Sequence, residues 1–171
     1  MDLNHHSTRE LFALFVAALN ELKNRGVTRS TNNPIADYTE LLFQHALGLK
    51  LNTKSTKGHD AIDGNGLKYE IKGRRVTAHN SSRQLSSLRA LEKKHFDLLG
   101  AALFNEDFSV LKACLVPHEQ VLKCSTYSAH TNGWIFHLRD HVWGLPGVID
   151  VTAKLQQAEK AHDYPSVQNH G

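Results

Sequence analysis

Cysteine is scarce in this chain. Cys114 and Cys124 are its only two, so a disulfide framework is excluded as the main source of stability. Their spacing matches no common zinc pattern. Both lie in apolar or helix-end contexts, and the expectation is buried structural cysteine rather than a nucleophile. No apolar run approaches the roughly twenty residues that cross a bilayer. The start Met1-Asp2-Leu3-Asn4-His5-His6 lacks the basic start and apolar core of a signal peptide, and the expected location is cytoplasmic with no membrane partner. No glycine-rich phosphate loop is present, which counts against a kinase, an ATPase or a dinucleotide enzyme, and no nucleotide cofactor is expected. Internal repeats and low-complexity segments are also absent.

What is present is an ordinary globular composition with an uneven charge. The 171 residues are 40% hydrophobic and 22% charged, enough for one domain with a proper core. The net charge of +3 hides an asymmetry. Residues 50–94 hold eleven Lys and Arg against four Asp and Glu, a balance of +7, whereas the remainder holds nine against thirteen, a balance of −4. A basic middle on an otherwise acidic chain suits a surface meant for an anion. The commoner origin of such a cluster is a solvated charged face.

Ser7-Thr8-Arg9-Glu10 is a capping box that starts a helix at Thr8. Leu11, Phe12, Leu14, Phe15, Ala18, Leu19 and Leu22 give that helix a wide apolar face, and Gly26 ends it. Asn33-Pro34 opens a second helix that runs to about Leu47, with Gly48 as its stop. A hairpin follows, with strands at 59–63 and 67–72 joined through Gly64-Asn65-Gly66. The pattern then predicts a helix within 81–94 carrying Leu85, Leu88 and Leu91. Strands are predicted at 96–104 and 108–116, with a short helix from Pro117 to Cys124. A further strand at 134–138, a last helix at 148–161 and a loose tail at 163–171 complete the reading. Residues 1–162 read as a single α/β domain, a mixed sheet with helices on its faces.

The hairpin at 58–75, Gly-His-Asp-Ala-Ile-Asp-Gly-Asn-Gly-Leu-Lys-Tyr-Glu-Ile-Lys-Gly-Arg-Arg, is the most informative stretch. Strand alternation puts Glu70 and Lys72 on one face. With a three-residue turn at 64–66, Asp60 pairs with Glu70, and Asp60, Glu70 and Lys72 form one cluster. With a two-residue turn, Asp60 flips away and Asp63 shares the face of Glu70, but roughly 13 Å along the ladder. Asp60 is therefore preferred, with Asp63 in reserve. Facing carboxylates repel, and a divalent cation removes that repulsion. Such an ion acidifies a bound water and neutralises a phosphorane, while Lys72 steadies the developing charge. The alternative is that Asp60 caps a turn and Lys72 simply pairs with Glu70. Gly73 permits a bulge or a close approach, after which Arg74 and Arg75 leave the sheet beside the site. Their planar forks suit phosphate, and Lys57 and Arg83 extend the track.

On the second helix, Glu40 lies opposite the Ile35, Tyr38, Leu41 and Leu42 stripe, in line with Ala36, Phe43 and Leu47. A helix apolar on two sides is packed on two sides, which puts Glu40 in a partly buried row. It reads equally well as a third metal carboxylate or as a rim glutamate whose stem covers the core.

The order Glu40, Asp60, Glu70-Ile71-Lys72 on helix, strand and strand resembles the PD-(D/E)XK nuclease superfamily, the restriction-endonuclease-like fold. The likeness spans 33–75. Asn33-Pro34-Ile35-Ala36-Asp37-Tyr38 and Ser55-Thr56-Lys57-Gly58-His59-Asp60 look like a bacterial branch of poorly characterised members. His59 stands where that family commonly has proline. The resemblance implies a mixed central sheet flanked by helices, with Glu40, Asp60 and Glu70 as metal ligands and Lys72 as the catalytic lysine. It also implies Mg²⁺, with Mn²⁺ as substitute, DNA (double-stranded most often) as substrate, and frequent homodimers. The expected activity is DNA phosphodiester hydrolysis in restriction or phage defence. The competing expectations are a non-catalytic nucleic-acid-binding module or a partner subunit of a larger nuclease complex. A zinc His-Asn-His site from His130, Asn132, His137 and His141 is a weaker reading, and these histidines are expected on the surface.

Overall fold

The computed structural model describes residues 2–52 and 58–162. Lys57, and the expected tail at 163–171, lie outside the described residues. Helix α1, Thr8–Asn24, starts at the capping box: Ser7 Oγ accepts from Glu10 N at 3.3 Å, and Glu10 Oε2 accepts from Ser7 N at 2.7 Å. Helix α2, Ile35–Leu47, follows. Asn33 Oδ1 accepts from Ile35 N at its start, and left-handed Gly48 ends it. Strands β1 (Lys50–Leu51), β2 (Ala61–Ile62), β3 (Lys68–Arg75), β4 (Leu98–Phe104) and β5 (Val110–Pro117) lead to helix α3, His118–Cys124. Strands β6 (Thr126–Ser128), β7 (Gly133–Ile135) and β8 (Ile149–Asp150) precede helix α4, Thr152–His162.

The main sheet has the order β1-β2-β3-β4-β5-β8. It is mixed: β3 and β4 run parallel, and every other pair is antiparallel. A core lies on each face. On one, Leu42 and Phe43 of α2 and Leu155 and Ala158 of α4 pack on Tyr69, Ile71, Ala102, Phe104, Ala113 and Leu115. On the other, Leu85, Leu88, Leu91, Val121, Phe136, Leu138 and Val142 cover Leu99, Ala101, Leu103, Cys114 and Val116. The mixed α/β sheet with helices is thus the observed class.

Several expectations are corrected. The segment 76–97, which makes the parallel crossover, is not a helix but irregular chain with one 3₁₀ turn at Leu91–Lys93. Its N–H groups bond outward: Leu85 N donates to Phe136 O and Leu88 N to Trp134 O. The expected strand at 134–138 is shorter, and it forms a separate two-stranded ribbon of β6 and β7. The start of the expected last helix is instead β8, paired with β5 through Asp150 and Cys114. Arg74 and Arg75 do not leave the sheet. The β3–β4 register runs unbroken from Tyr69 to Arg75, and Gly73 serves a close approach, not a bulge. A Cβ there would lie 2.0 Å from Thr39 Oγ1, so only glycine lets α2 sit this near β3. The apolar face of α1 is uncovered among the described residues, with Leu19 alone buried and Phe12 and Phe15 exposed by 65% and 60%.

Candidate active site

The pairing Ala61 with Tyr69 and Ile62 with Lys68 fixes the hairpin register. Asp63 N donates to Leu67 O at 3.1 Å, which leaves a three-residue loop at 64–66 with Gly66 left-handed. Asp60 immediately precedes β2 and donates its N–H to Tyr69 O at 2.8 Å, which brings it beside β3. Asp63 is turned to its own loop, accepting from Asn65 N and Leu67 N at 2.9 Å each.

Lys72 joins the two acids. Its Nζ donates to Glu70 Oε1 and to Ile71 O at 3.3 Å, and lies 3.6 Å from Asp60 Oδ2. Asp60 Oδ2 also accepts from Ile71 N at 2.7 Å, which ties β2 to β3 at the cluster. Burial pushes the Glu70 carboxyl above its usual range, and Asp60 adds to this, while Lys72 opposes it. Burial disfavours the Lys72 ammonium, yet Glu70 and Asp60 together hold its pKa above the ordinary lysine value.

Glu40 reaches the same neighbourhood from α2. Its carboxylate pairs with Arg29, which also binds Asp37 at 3.0 Å. Even so, burial first and Asp60 second push its pKa up to about 7, because one partly exposed guanidinium shared with Asp37 does not offset both. The charge of Glu40 is felt at Lys72 as well. Asp60 and Glu70 meet at Lys72, and the charge of Glu40 is felt beside them; carboxylate oxygens are the donors a hard divalent cation prefers. Among the described residues, no three of His, Cys, Asp and Glu stand as a ready metal-binding group. The donor chemistry fits such an ion, with Lys72 seated where Glu70 would otherwise be free.

Two cavities flank the cluster. The first, of about 600 Å³, is bordered by Glu40, Lys72, Arg74 and Arg75. The second, of about 560 Å³, is bordered by Glu70, Arg89 and His95. Ser87 borders both, and its buried Oγ has no hydrogen-bond partner among the described residues. Of the expected phosphate contacts, Arg74 is steadied by Ser82 O and Asn80 Oδ1 at 3.1 and 3.2 Å, and Arg75 stacks on Phe108. Arg83 lies apart from the first cavity, ion-paired to Asp140 at 2.9 Å.

Sequence reasoning missed Arg29, Asn80, Gln84, Ser87, His95 and Phe108. The polar run 79–87 was a usable signal, since Ser81-Ser82 and Ser86-Ser87 are poor helix formers. The other chemical candidates resolve simply. Cys114 is buried, and burial pushes its thiol up to about 12, which disfavours a thiolate; Cys124 is exposed, contrary to expectation. His130 and His141 are exposed, and Asn132 accepts from the Tyr127 hydroxyl. His118, unlike the surface histidines, is buried on Leu91 O. No protein-family model matches the chain, and a search of curated proteins gives no match.

Proposed function

We propose that the protein is a metal-dependent endonuclease of restriction-endonuclease-like fold that hydrolyses DNA phosphodiester bonds. A cytoplasmic restriction or phage-defence role is the setting. The observation that carries this reading is the convergence of Asp60, just before β2, with Glu70 and Lys72 of β3, and Glu40 close enough for its charge to be felt at Lys72. Asp60, Glu70 and Glu40 would hold Mg²⁺, or Mn²⁺ in its place. When bound, the ion supplies charge neutralisation and a more acidic water.

The remaining chemistry belongs to the chain. Lys72 releases Glu70, keeps its proton, and directs N–H donors at the attacking water and the phosphoryl oxygens. The water oxygen forms a bond to phosphorus as one P–O ester bond breaks. The water gives up a proton to solvent, and the leaving oxygen takes one. Arg74, at the edge of the same cavity, presents a guanidinium to a neighbouring phosphate.

A second reading has its own observation: Lys72 is already ion-paired with Glu70 and lies 3.6 Å from Asp60, as suits a non-catalytic nucleic-acid-binding module or partner subunit. Plasmid nicking with and without Mg²⁺ separates the two. Cleavage that needs Mg²⁺ and Lys72 supports the enzyme; DNA binding indifferent to Mg²⁺ with no strand cut supports the module.

A further inference from the structure

Phosphodiester chemistry leaves one feature of the first cavity unused. Phe108, in the turn between β4 and β5, has φ of 69°. That left-handed conformation is costly for an aromatic residue and free for glycine. The turn itself needs no ring: Phe108 N donates to Asn105 O at 3.1 Å and Asn105 N to Ser109 O at 2.9 Å, bonds that glycine makes equally well. The half-buried ring instead borders the cavity, with the Arg75 guanidinium carbon 4.6 Å from its centroid. Among the described residues the polar hold on Arg75 is slight, a single bond at 3.4 Å to Glu106 O. The Phe108 ring is thus the larger contact that holds the Arg75 guanidinium. Ile35 adds an apolar wall, Gln84 and Ser86 add hydrogen-bonding groups, and Lys72 and Glu40 connect this space to the carboxylate cluster.

About 600 Å³ is the size of a small-molecule site and is far too small for a duplex. A guanidinium lying over a phenyl ring, an apolar wall and amide and hydroxyl groups suit a nucleobase. We infer that this cavity takes one unpaired base of the substrate strand, stacked on the Arg75–Phe108 platform, with the adjoining phosphate directed to Arg74 and Lys72. The substrate class is single-stranded or locally unpaired DNA. This rests on the phosphodiester reading for its biological sense, but base binding requires neither metal nor cleavage.

The test is fluorescence titration, in EDTA, of a short single-stranded oligodeoxynucleotide carrying 2-aminopurine, using the full chain. The expected result is quenching on binding, roughly tenfold or more weaker in Phe108→Gly, and likewise weaker for an oligonucleotide abasic at that position. Phe108→Gly removes the strained conformation and is expected to melt within a few degrees of the native protein. Arg75→Lys keeps the charge, loses the planar fork, and is expected to weaken quenching in the same direction. Absence of quenching, or equal affinity in Phe108→Gly and for the abasic strand, overturns the inference. Lys72-dependent nicking without base binding would leave the nuclease reading standing and remove this one. Base binding without nicking does the reverse.

Discussion

Glu40 shows how one residue links stability to the site. Its pKa of about 7 lies above the ordinary 4.5, so between these values the folded protein binds more protons than the unfolded chain. Stability from this group is therefore fully present below about pH 4.5 and is lost as pH rises through about 7. Glu40→Gln is expected to flatten that loss. Unfolding free energies of variant and native protein from urea titration should converge near pH 4.5 and separate in favour of the variant at pH 8, by on the order of 1 kcal/mol. Mg²⁺ should restore the native protein at pH 8 and leave the variant less changed. A variant less stable than native at pH 8 would show that the Arg29 pair outweighs burial and Asp60. At this scale the site was legible where strand parity decides. The expected three-residue loop at 64–66 is present; it turns Asp63 to its own backbone and leaves Asp60, not Asp63, 3.6 Å from Lys72. Arg29 was not legible, because nothing in a polar link between two helices says that its arginine folds back on Asp37 and Glu40.

Among the elements, α2 and β3 are locked together by Gly73. Gly73→Ala drives a methyl into Thr39 Oγ1, a fully buried neighbour, and is expected to cost about 2 kcal/mol or more in chemical denaturation. Thr39→Ala in the same chain should return part of that loss. Additive costs would mean that the two residues do not meet. Helix α1 behaves oppositely. Replacing both Phe12 and Phe15 by Ser is expected to shift Tm by less than about 2 °C, since each is mostly exposed, whereas Phe43→Ala, at a fully buried position, should cost about 3–5 kcal/mol. A core-sized loss in the double variant would mean that the face is covered in solution. The elements also show where the sequence misleads. Leu85, Leu88 and Leu91 repeat every three residues and look like a helix face. Their segment is nonetheless extended enough for Leu85 N and Leu88 N to bond Phe136 O and Trp134 O, partners some fifty residues away that no local pattern reveals. The capping box of α1, the Asn33-Pro34 start of α2 and the glycine stops of both are local, so those helix bounds were readable.

For the whole molecule, the sheet carries the functional argument. Its parallel β3–β4 step forces a long crossover, and that crossover, 76–97, lines both cavities beside the carboxylates. Of the +7 segment at 50–94, Lys72, Arg74 and Arg75 border the first cavity and Arg89 the second, while Arg83 is held by Asp140. The sheet class was readable from alternating apolar segments. The order of the strands was not, because β1 and β8 are two-residue strands whose existence depends on neighbours across the sheet.

The most direct measurement is plasmid nicking at neutral pH in Mg²⁺, comparing native protein with Lys72→Ala, both verified as folded by circular dichroism. The account predicts Mg²⁺-dependent nicking by the native protein and a rate at least about 100-fold lower in Lys72→Ala. Equal rates in the two proteins, or no cleavage of any DNA by the native protein in Mg²⁺ or Mn²⁺, would contradict it.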